Sequence, residues 1–193
     1  MDLDRKSALF DAAQPIFGRF GYRKTTIEEI CREAGISKRT FYEEFADKKD
    51  FFGRLVLHKA LAFTMEWKDA VKDEPSAAVR IERYIDHYVT SCRATPLFGV
   101  IFENDESREA VDAAFNDDSC KPLTLTLGSA IEMGTASGEF RSVDSAMLTM
   151  IIGLMMDAIF CILPQLFKNT TIDTDEAFVR EFREFVISGL LAR

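Results

Sequence analysis

The chain holds only two histidines and one tryptophan among 193 residues, four cysteines with no C-x-x-C pair, five prolines and ten glycines. Nowhere does it alternate apolar and polar residues with a sustained period of two. Each scarcity excludes something. His58 and His87 have no partner at the spacing of a metal site or a catalytic triad, so both read as surface or pocket polar groups, and no metal, cofactor or catalytic residue is expected. Cys31, Cys92, Cys120 and Cys161 lie far apart, which removes a disulfide framework and leaves each as a small apolar residue in a helix, reduced in a cytosol. The scattered glycines and prolines leave no low-complexity linker, and Gly134 with Gly138 makes a turn, not a phosphate loop, because no G-x-G-x-x-G precedes a helix there.

What is present is a soluble globular composition, 47% hydrophobic and 29% charged, which excludes a disordered, collagenous or extended coiled-coil chain. A net charge of −8 argues against a polyanionic partner until it is partitioned. Met1–Arg54 carries 11 Lys+Arg against 10 Asp+Glu, net +1, leaving 13 against 22, net −9, for Leu55–Arg193. The two regions do different electrostatic work. The N-terminus mixes acids and bases where a signal peptide would have an uninterrupted apolar run, so a cytoplasmic location is expected. Ala146–Leu163 is 18 apolar-rich residues, about 27 Å as a helix and at the short edge of a bilayer span. Asp157 near its middle and the scarcity of flanking Lys or Arg count against insertion, so no membrane partner is expected.

Apolar spacing is helical nearly throughout, and the fold class is all-α with about nine helices. A first helix over Asp4–Phe20 stops at Gly21, and Pro15 is expected to kink it near Asp11 or split it, because proline lacks the N–H that the Asp11 carbonyl needs. Thr26 caps a second helix to Ala34 with Glu29 completing a capping box, and Gly35 ends it. Ser37 caps a third over Lys38–Phe45, and Asp47 with Asp50 opens a fourth to about Lys72. Further helices are expected over Ser76–Arg93, Pro96–Phe115, Lys121–Ser137, Asp144–Leu163 with Pro164 as the stop, and Asp173–Leu191 with a stripe of Phe178, Phe182, Phe185, Val186 and Leu190.

Phe20–Phe51 reads as a unit in which two capped helices meet at a Gly-Ile-Ser turn, which is helix-turn-helix geometry. Ile27, Ile30, Cys31 and Ala34 give the first of them a buried side, and Phe41 and Phe45 do so for the second. Ser37, Lys38, Arg39, Thr40 and Tyr42 are then left outward, a set suited to the major groove. This chemistry is recognition, not catalysis. The residues Gly21, Thr25-Thr26, Ile30, Ala34-Gly35-Ile36-Ser37, Thr40-Phe41-Tyr42, Phe45 and Lys48 resemble the DNA-binding domain of the TetR family of bacterial transcriptional regulators. Pro15 in the first helix and Glu44, where many members carry His or Tyr, depart from the pattern. The resemblance implies a helix-turn-helix DNA-binding domain at 1–53 and a ligand-binding and dimerisation domain at 54–193. It implies base contacts from Ser37, Lys38, Arg39 and Thr40, and phosphate contacts from Thr25, Thr26, Tyr42 and Lys48.

Beyond Phe51 the similarity thins to architecture and the short Gly-Glu-Phe-Arg run at Gly138–Arg141. It implies a small-molecule pocket, for which Phe63, Trp67, Tyr84, Tyr88, Phe98 and Phe102 are the candidates, and dimerisation through the last two helices. The residues themselves agree on the second point: Met147, Met150, Ile151, Leu154, Ala158, Ile159 and Ile162, with the phenylalanines of the last helix, exceed what one helix pair can cover. Ile151, Leu154, Ala158, Phe182 and Val186 are the interface candidates. Asp157 is expected to be tied to a neighbouring helix by hydrogen bonds. The expected function is a homodimeric repressor that binds a double-stranded palindromic operator and is released by a small hydrophobic or amphipathic effector. The alternative is a helical ligand-binding or catalytic protein with a vestigial helix-turn-helix, in which paired carboxylates such as Glu103 and Asp105 would act.

Overall fold

Caps and glycines set most helix boundaries in the computed structural model, which describes residues 3–94, 97–116, 121–166 and 175–192. The elements are α1 (Leu3–Lys24), α2 (Ile27–Glu33), α3 (Lys38–Tyr42), α4 (Lys48–Ala70), α5 (Ala77–Ala94), α6 (Leu97–Ile101), α7 (Asp105–Phe115), α8 (Lys121–Ser137), α9 (Ser145–Met156), a π-helical segment Asp157–Ile162, α10 (Leu163–Leu166) and α11 (Glu176–Leu190). The fold is all-α; among the described residues there is no strand, only an isolated antiparallel bridge between Phe140 and Leu191.

The chain divides into two compact units, residues 1–60 with 94–120, and residues 61–93 with 121–193. The segment 94–120, assigned by sequence to the C-terminal region, thus packs with the N-terminal head. Helix α4 contributes residues 48–60 to the first unit and 61–70 to the second.

The first unit is built on aromatic rings. Phe10, Phe17, Tyr22, Phe41, Phe45, Phe51 and Phe52 are all buried, with Phe41 and Phe51 centroids 5.1 Å apart and Phe17 and Phe52 4.9 Å apart. Each such side chain contributes about 1.5–3 kcal/mol on burial, so this cluster sets the positions of α1–α4. Pro15 sits exposed in α1 without interrupting it, and the non-helical residue of that element is Gly21 (φ 78°, ψ 172°). The expected break at Pro15 is therefore corrected to Gly21, whose missing side chain tolerates the left-handed backbone.

In the second unit Ile81, Ile85 and Val89 of α5 pack with Trp67 of α4 and Val71 just beyond its end, Leu127 and Ile131 of α8, Ile152 and Met156 of α9, and Val179, Phe182, Val186 and Leu190 of α11. The Gly-Glu-Phe-Arg run fastens this core. Glu139 accepts from the Ser76 hydroxyl (2.7 Å) and the N–H groups of Ala77 (2.7 Å) and Ala78 (3.0 Å), capping α5 from 61 to 63 residues away. Burial pushes its carboxyl upward, but those three donors together outweigh it and hold the group below its ordinary value. Arg141 donates to the Gly189 carbonyl at the end of α11 (2.8 Å). Gly134 lies inside α8 and forms no turn; a Cβ there would meet the Phe140 ring at 2.2 Å, so its role is close packing, while Gly138 (φ 79°) supplies the turn.

Three further boundaries differ from expectation. α3 ends at Tyr42, three residues short of Phe45. Pro96–Phe115 is divided into α6 and α7, because Asn104 caps a new helix by accepting from the Ser107 N–H (3.0 Å) while the Ser107 hydroxyl reaches back. Pro164 does not stop the ninth helix. The backbone widens into the π segment, and Pro164 then sits in the first turn of α10, where its missing N–H is tolerated.

Candidate nucleic-acid interface

The first helix of the pair is closed at both ends by its own sequence. The Glu29 N–H donates to the Thr26 hydroxyl oxygen (3.3 Å) and the Thr26 N–H donates to the Glu29 carboxylate (3.0 Å), a capping box. At the other end the Ile36 N–H donates to the Cys31 carbonyl (3.0 Å) and the Gly35 N–H to the Arg32 carbonyl (3.3 Å), with Gly35 at φ 65°. That pair of bonds is a Schellman motif, and it turns the chain directly into the next cap. There the Ser37 hydroxyl oxygen accepts from the Thr40 N–H (3.1 Å). Phe41 of α3 and Phe45 just beyond its end, both buried, pin one face of the helix to the core.

Pinning that face leaves Ser37, Lys38, Arg39 and Tyr42 exposed and Thr40 half-buried. Of the five residues predicted to face outward, four form one exposed patch and Thr40 is partly covered. The Arg39 side chain is 89% exposed and its Nε donates to Glu43 (3.1 Å); the Lys38 ammonium pairs with Glu28. Hydrogen bonding to Lys38 holds the Glu28 carboxyl below its ordinary value, and the same bond raises the Lys38 ammonium. Exposed pairs of this kind are worth little in water, so the cations exchange readily onto another anion.

The residues assigned to phosphates divide. Thr26 and Tyr42 are exposed, with Tyr42 at 53% and its ring edge against Phe41. Thr25 is buried, and its hydroxyl donates to the Gly21 carbonyl (2.8 Å). Lys48 stands at the start of α4, as expected, but its ammonium donates to the carbonyls of Tyr22 (3.0 Å), Thr25 (3.3 Å) and Arg23 (3.5 Å) and lies 4.5 Å over the Tyr22 ring. Three donors facing three carbonyls make Lys48 a clamp on the end of α1.

Sequence reading missed a row of carboxylates in the same unit. Glu103 accepts from the Tyr22 N–H (2.8 Å), Glu106 from the Tyr22 hydroxyl (3.4 Å), and Glu109 from Lys49 (2.7 Å). Burial first, then the Glu106 charge, raises the Tyr22 phenol well above its usual value. The available signal was the spacing of three between Glu106 and Glu109, which places them along one side of α7; Glu103 precedes that helix and carried no such mark. Glu103 is committed to backbone and Asp105 pairs with Arg108, so the two carboxylates considered for acid–base work have structural partners.

In the second unit Phe63, Trp67, Tyr84 and Tyr88 come together, with Phe63–Tyr84 centroids 5.5 Å apart and Trp67–Tyr84 5.7 Å apart. Phe98 and Phe102 belong to the first unit, not to the unit that holds that set. His87 stacks on Phe63 (4.4 Å) and faces Glu66 (3.6 Å). Asp157 is tied to a neighbouring helix as expected, accepting from the Tyr88 hydroxyl, and burial raises its carboxyl above the ordinary value. A groove of about 650 Å³ lies elsewhere, in the first unit, between Asp47, Lys49, Asp50 and Arg54 of the α4 end and the alanines of α7. Its charged rim suits a seam between helices better than a receptor for an apolar molecule. Among the described residues no group of three or more His, Cys, Asp or Glu is placed to hold a metal ion.

The last helices carry the surplus apolar surface. Met147, Met150, Ile151 and Leu154 of α9 are exposed, as is Phe185 (65%) of α11, and Ala158 is half-buried. Phe182 and Val186, assigned to an interface, instead close the core of their own unit, Phe182 edge-on to Phe160 at 5.6 Å. Their place on the outer face is taken by Phe185. By length and composition alone Ser145–Ile162 is apolar enough to cross a membrane, and only 22% of that window is buried.

Comparison with known proteins agrees with this geometry. Residues 9–55 match the model of bacterial regulatory proteins of the tetR family. The uncharacterized HTH-type transcriptional regulator YhgD of Bacillus subtilis is 34% identical over 55 residues, 28% of this chain and 29% of that protein. A second regulator of this type from B. subtilis, YfiR, is 24% identical over 148 residues, 72% of this chain and 69% of its own length. The fold extends over nearly the whole chain in FadR from B. subtilis, solved in complex with stearoyl-CoA, at a TM-score of 0.76 and 18% identity, covering 95% of this chain and 98% of that one.

Proposed function

We propose that this chain, which carries the DNA-binding head of the TetR family of bacterial regulators at residues 9–55, is a cytoplasmic, homodimeric repressor that occupies a palindromic operator and leaves it when a small hydrophobic or amphipathic effector binds. The observation that carries the reading is the patch at the start of α3, where Ser37, Lys38, Arg39 and Tyr42 are exposed while Phe41 and Phe45 anchor the helix beneath them. Arg39 and Lys38 exchange Glu43 and Glu28 for guanine edges, with Ser37 and Thr40 as further base contacts and Thr26 and Tyr42 against phosphates. A second copy seated on Met150, Ile151, Leu154 and Phe185 covers the exposed apolar face and presents two recognition helices to successive major grooves, about 34–36 Å apart.

The second unit supplies the switch. Its Phe63, Trp67, Tyr84 and Tyr88 group offers apolar walls with hydroxyls among them, and the stearoyl-CoA bound by the similarly folded FadR supports an effector that is partly apolar and partly polar. Effector binding favours a spacing of the two heads that no longer fits the grooves, a population shift for which α4 is the shared element.

Fluorescence anisotropy against the promoter beside the chain's own gene, titrated with salt, tests the reading. Binding that weakens steeply with salt, and in which Arg39→Ala relaxes discrimination at one base position by about 1–3 kcal/mol, is expected. A folded dimer that binds this DNA no better than unrelated duplex at low salt would return the chain to the ligand-binding or catalytic alternative.

A further inference from the structure

Two of the four cysteines, 69 residues apart in sequence, meet inside the second unit: Cys92 on α5 and Cys161 in the π segment place their sulfurs 3.4 Å apart. Among the described cysteines Cys31 is buried in the other unit and has no such neighbour. The surroundings of the pair are unusual for inert core thiols. The Tyr88 hydroxyl stands 3.2 Å from the Cys161 sulfur while also donating to Asp157, so three groups capable of releasing a proton converge with a carboxylate on one side of α5. Two thiols this close need move only a little over 1 Å to reach bonding distance, about 2.05 Å.

We propose that Cys92 and Cys161 are a peroxide-oxidisable pair that closes into a disulfide within the folded chain. The hydrogen bonds differentiate the two sulfurs. The close approach lets the Cys92 S–H donate to the Cys161 sulfur, which holds the Cys161 thiol below its usual value against the opposing effect of burial, and the same bond raises Cys92. Cys161 is therefore the attacking thiolate. It displaces hydroxide from hydrogen peroxide, the O–O bond breaking as the S–O bond forms, and the hydroxide takes a proton to leave as water. Cys92 then attacks the sulfenic sulfur; the S–O bond breaks, the S–S bond forms, and the hydroxyl departs as a second water with the Cys92 proton. The two thiols lose two electrons and the peroxide gains them. Cys92 is partly exposed, which gives a molecule the size of peroxide a route to a pair whose other member is buried.

The bond would tie α5 to the π segment, the place where the ninth helix departs from regular α geometry, and π turns are where helices commonly carry function. The chemistry needs no DNA, so its outcome is independent of the operator reading above.

The test is peptide mapping of the full chain, alkylated under native conditions before and after treatment with hydrogen peroxide. The expected result is a loss of 2 Da, two fewer alkylatable thiols, and a linked peptide joining the segments of Cys92 and Cys161, reversed by dithiothreitol. In Cys92→Ser, dimedone is expected to label Cys161 after the same treatment. A folded wild-type chain that yields no linked peptide, or links Cys31 or Cys120 as often as this pair, overturns the proposal without recourse to any variant. Dimedone labelling of Cys92 in Cys161→Ser at the rate seen for Cys161 would overturn the assignment of the attacking sulfur.

Discussion

Replacing Lys48 by methionine separates two meanings of one lysine. As a phosphate contact it would contribute one counterion's worth of salt dependence and nothing to the folded chain. As a clamp it holds the Tyr22, Arg23 and Thr25 carbonyls at 3.0–3.5 Å and lies 4.5 Å over the Tyr22 ring. Hydrogen bonds to a charged group are worth about 1.5–3 kcal/mol net, and a partly exposed cation over an aromatic face adds about 0.5–1 kcal/mol. Methionine keeps most of the apolar stem, so packing is largely preserved. The net expectation is a loss of about 2 kcal/mol. With a urea slope of about 2 kcal/mol/M, that moves the midpoint by about 1 M at unchanged slope. The companion measurement is the dependence of operator affinity on salt, extrapolated to conditions where both proteins are fully folded. The clamp leaves that slope as in the wild type. Unchanged urea midpoints together with a slope reduced by about 0.9 would refute the structural role and return Lys48 to the phosphates.

Glu139→Gln keeps the shape but surrenders the charge that caps α5, at a cost of about 1 kcal/mol near neutral pH. Because the folded carboxyl lies below its unfolded value, its contribution is fully present above about pH 4.5 and is lost as pH falls through the folded value. Acid unfolding curves of variant and wild type should therefore converge at low pH; a constant offset would refute the charge argument. Leu154→Glu with Phe185→Glu places carboxylates on side chains 62% and 65% exposed, so urea stability should change by less than about 0.5 kcal/mol while sedimentation shifts from dimer to monomer. A dimer that survives both changes is built elsewhere. Gly21→Ala adds a Cβ at φ 78° and 2.6 Å from the Glu103 carboxylate, a loss of about 2–4 kcal/mol by thermal or urea unfolding. Measured against Glu103→Ala alone, which already lacks the Tyr22 N–H bond, the same Gly21→Ala change should lose only the backbone part, and no loss there would show that the backbone angle carries no strain.

Legibility in the sequence followed the range of the interaction. The Thr26–Glu29 box, the Gly35 turn and the Ser37 cap act within a few residues, and each was readable because the residue types that make them are chemically distinctive. Asn104 and Ser107 form the same kind of box, yet lie within an apolar pattern that suggested one unbroken helix, so the division into α6 and α7 went unread, and Phe98 and Phe102 were grouped with Phe63 and Tyr84. Pro164 was misjudged for a different reason: a proline ends a regular helix, but whether the backbone widens by one residue ahead of it depends on what the widened turn packs against, and the sequence shows no local mark of that. The interior of the site was least readable. Thr25, Lys48 and Glu103 have the side chains of surface recognition groups, and nothing in their spacing says that Gly21 and Tyr22 will present backbone groups to all three. That convergence has a physical cause. The left-handed residue at Gly21 interrupts the helix just where its carbonyls and N–H groups would otherwise pair along the axis, and each one released must find a partner nearby. Polar side chains drawn to that break are spent on the fold. The groups left for the proposed DNA contacts are then the ones held outward above Phe41 and Phe45, so that an aromatic core, not a surplus of charge, locates the proposed recognition face of this acidic chain.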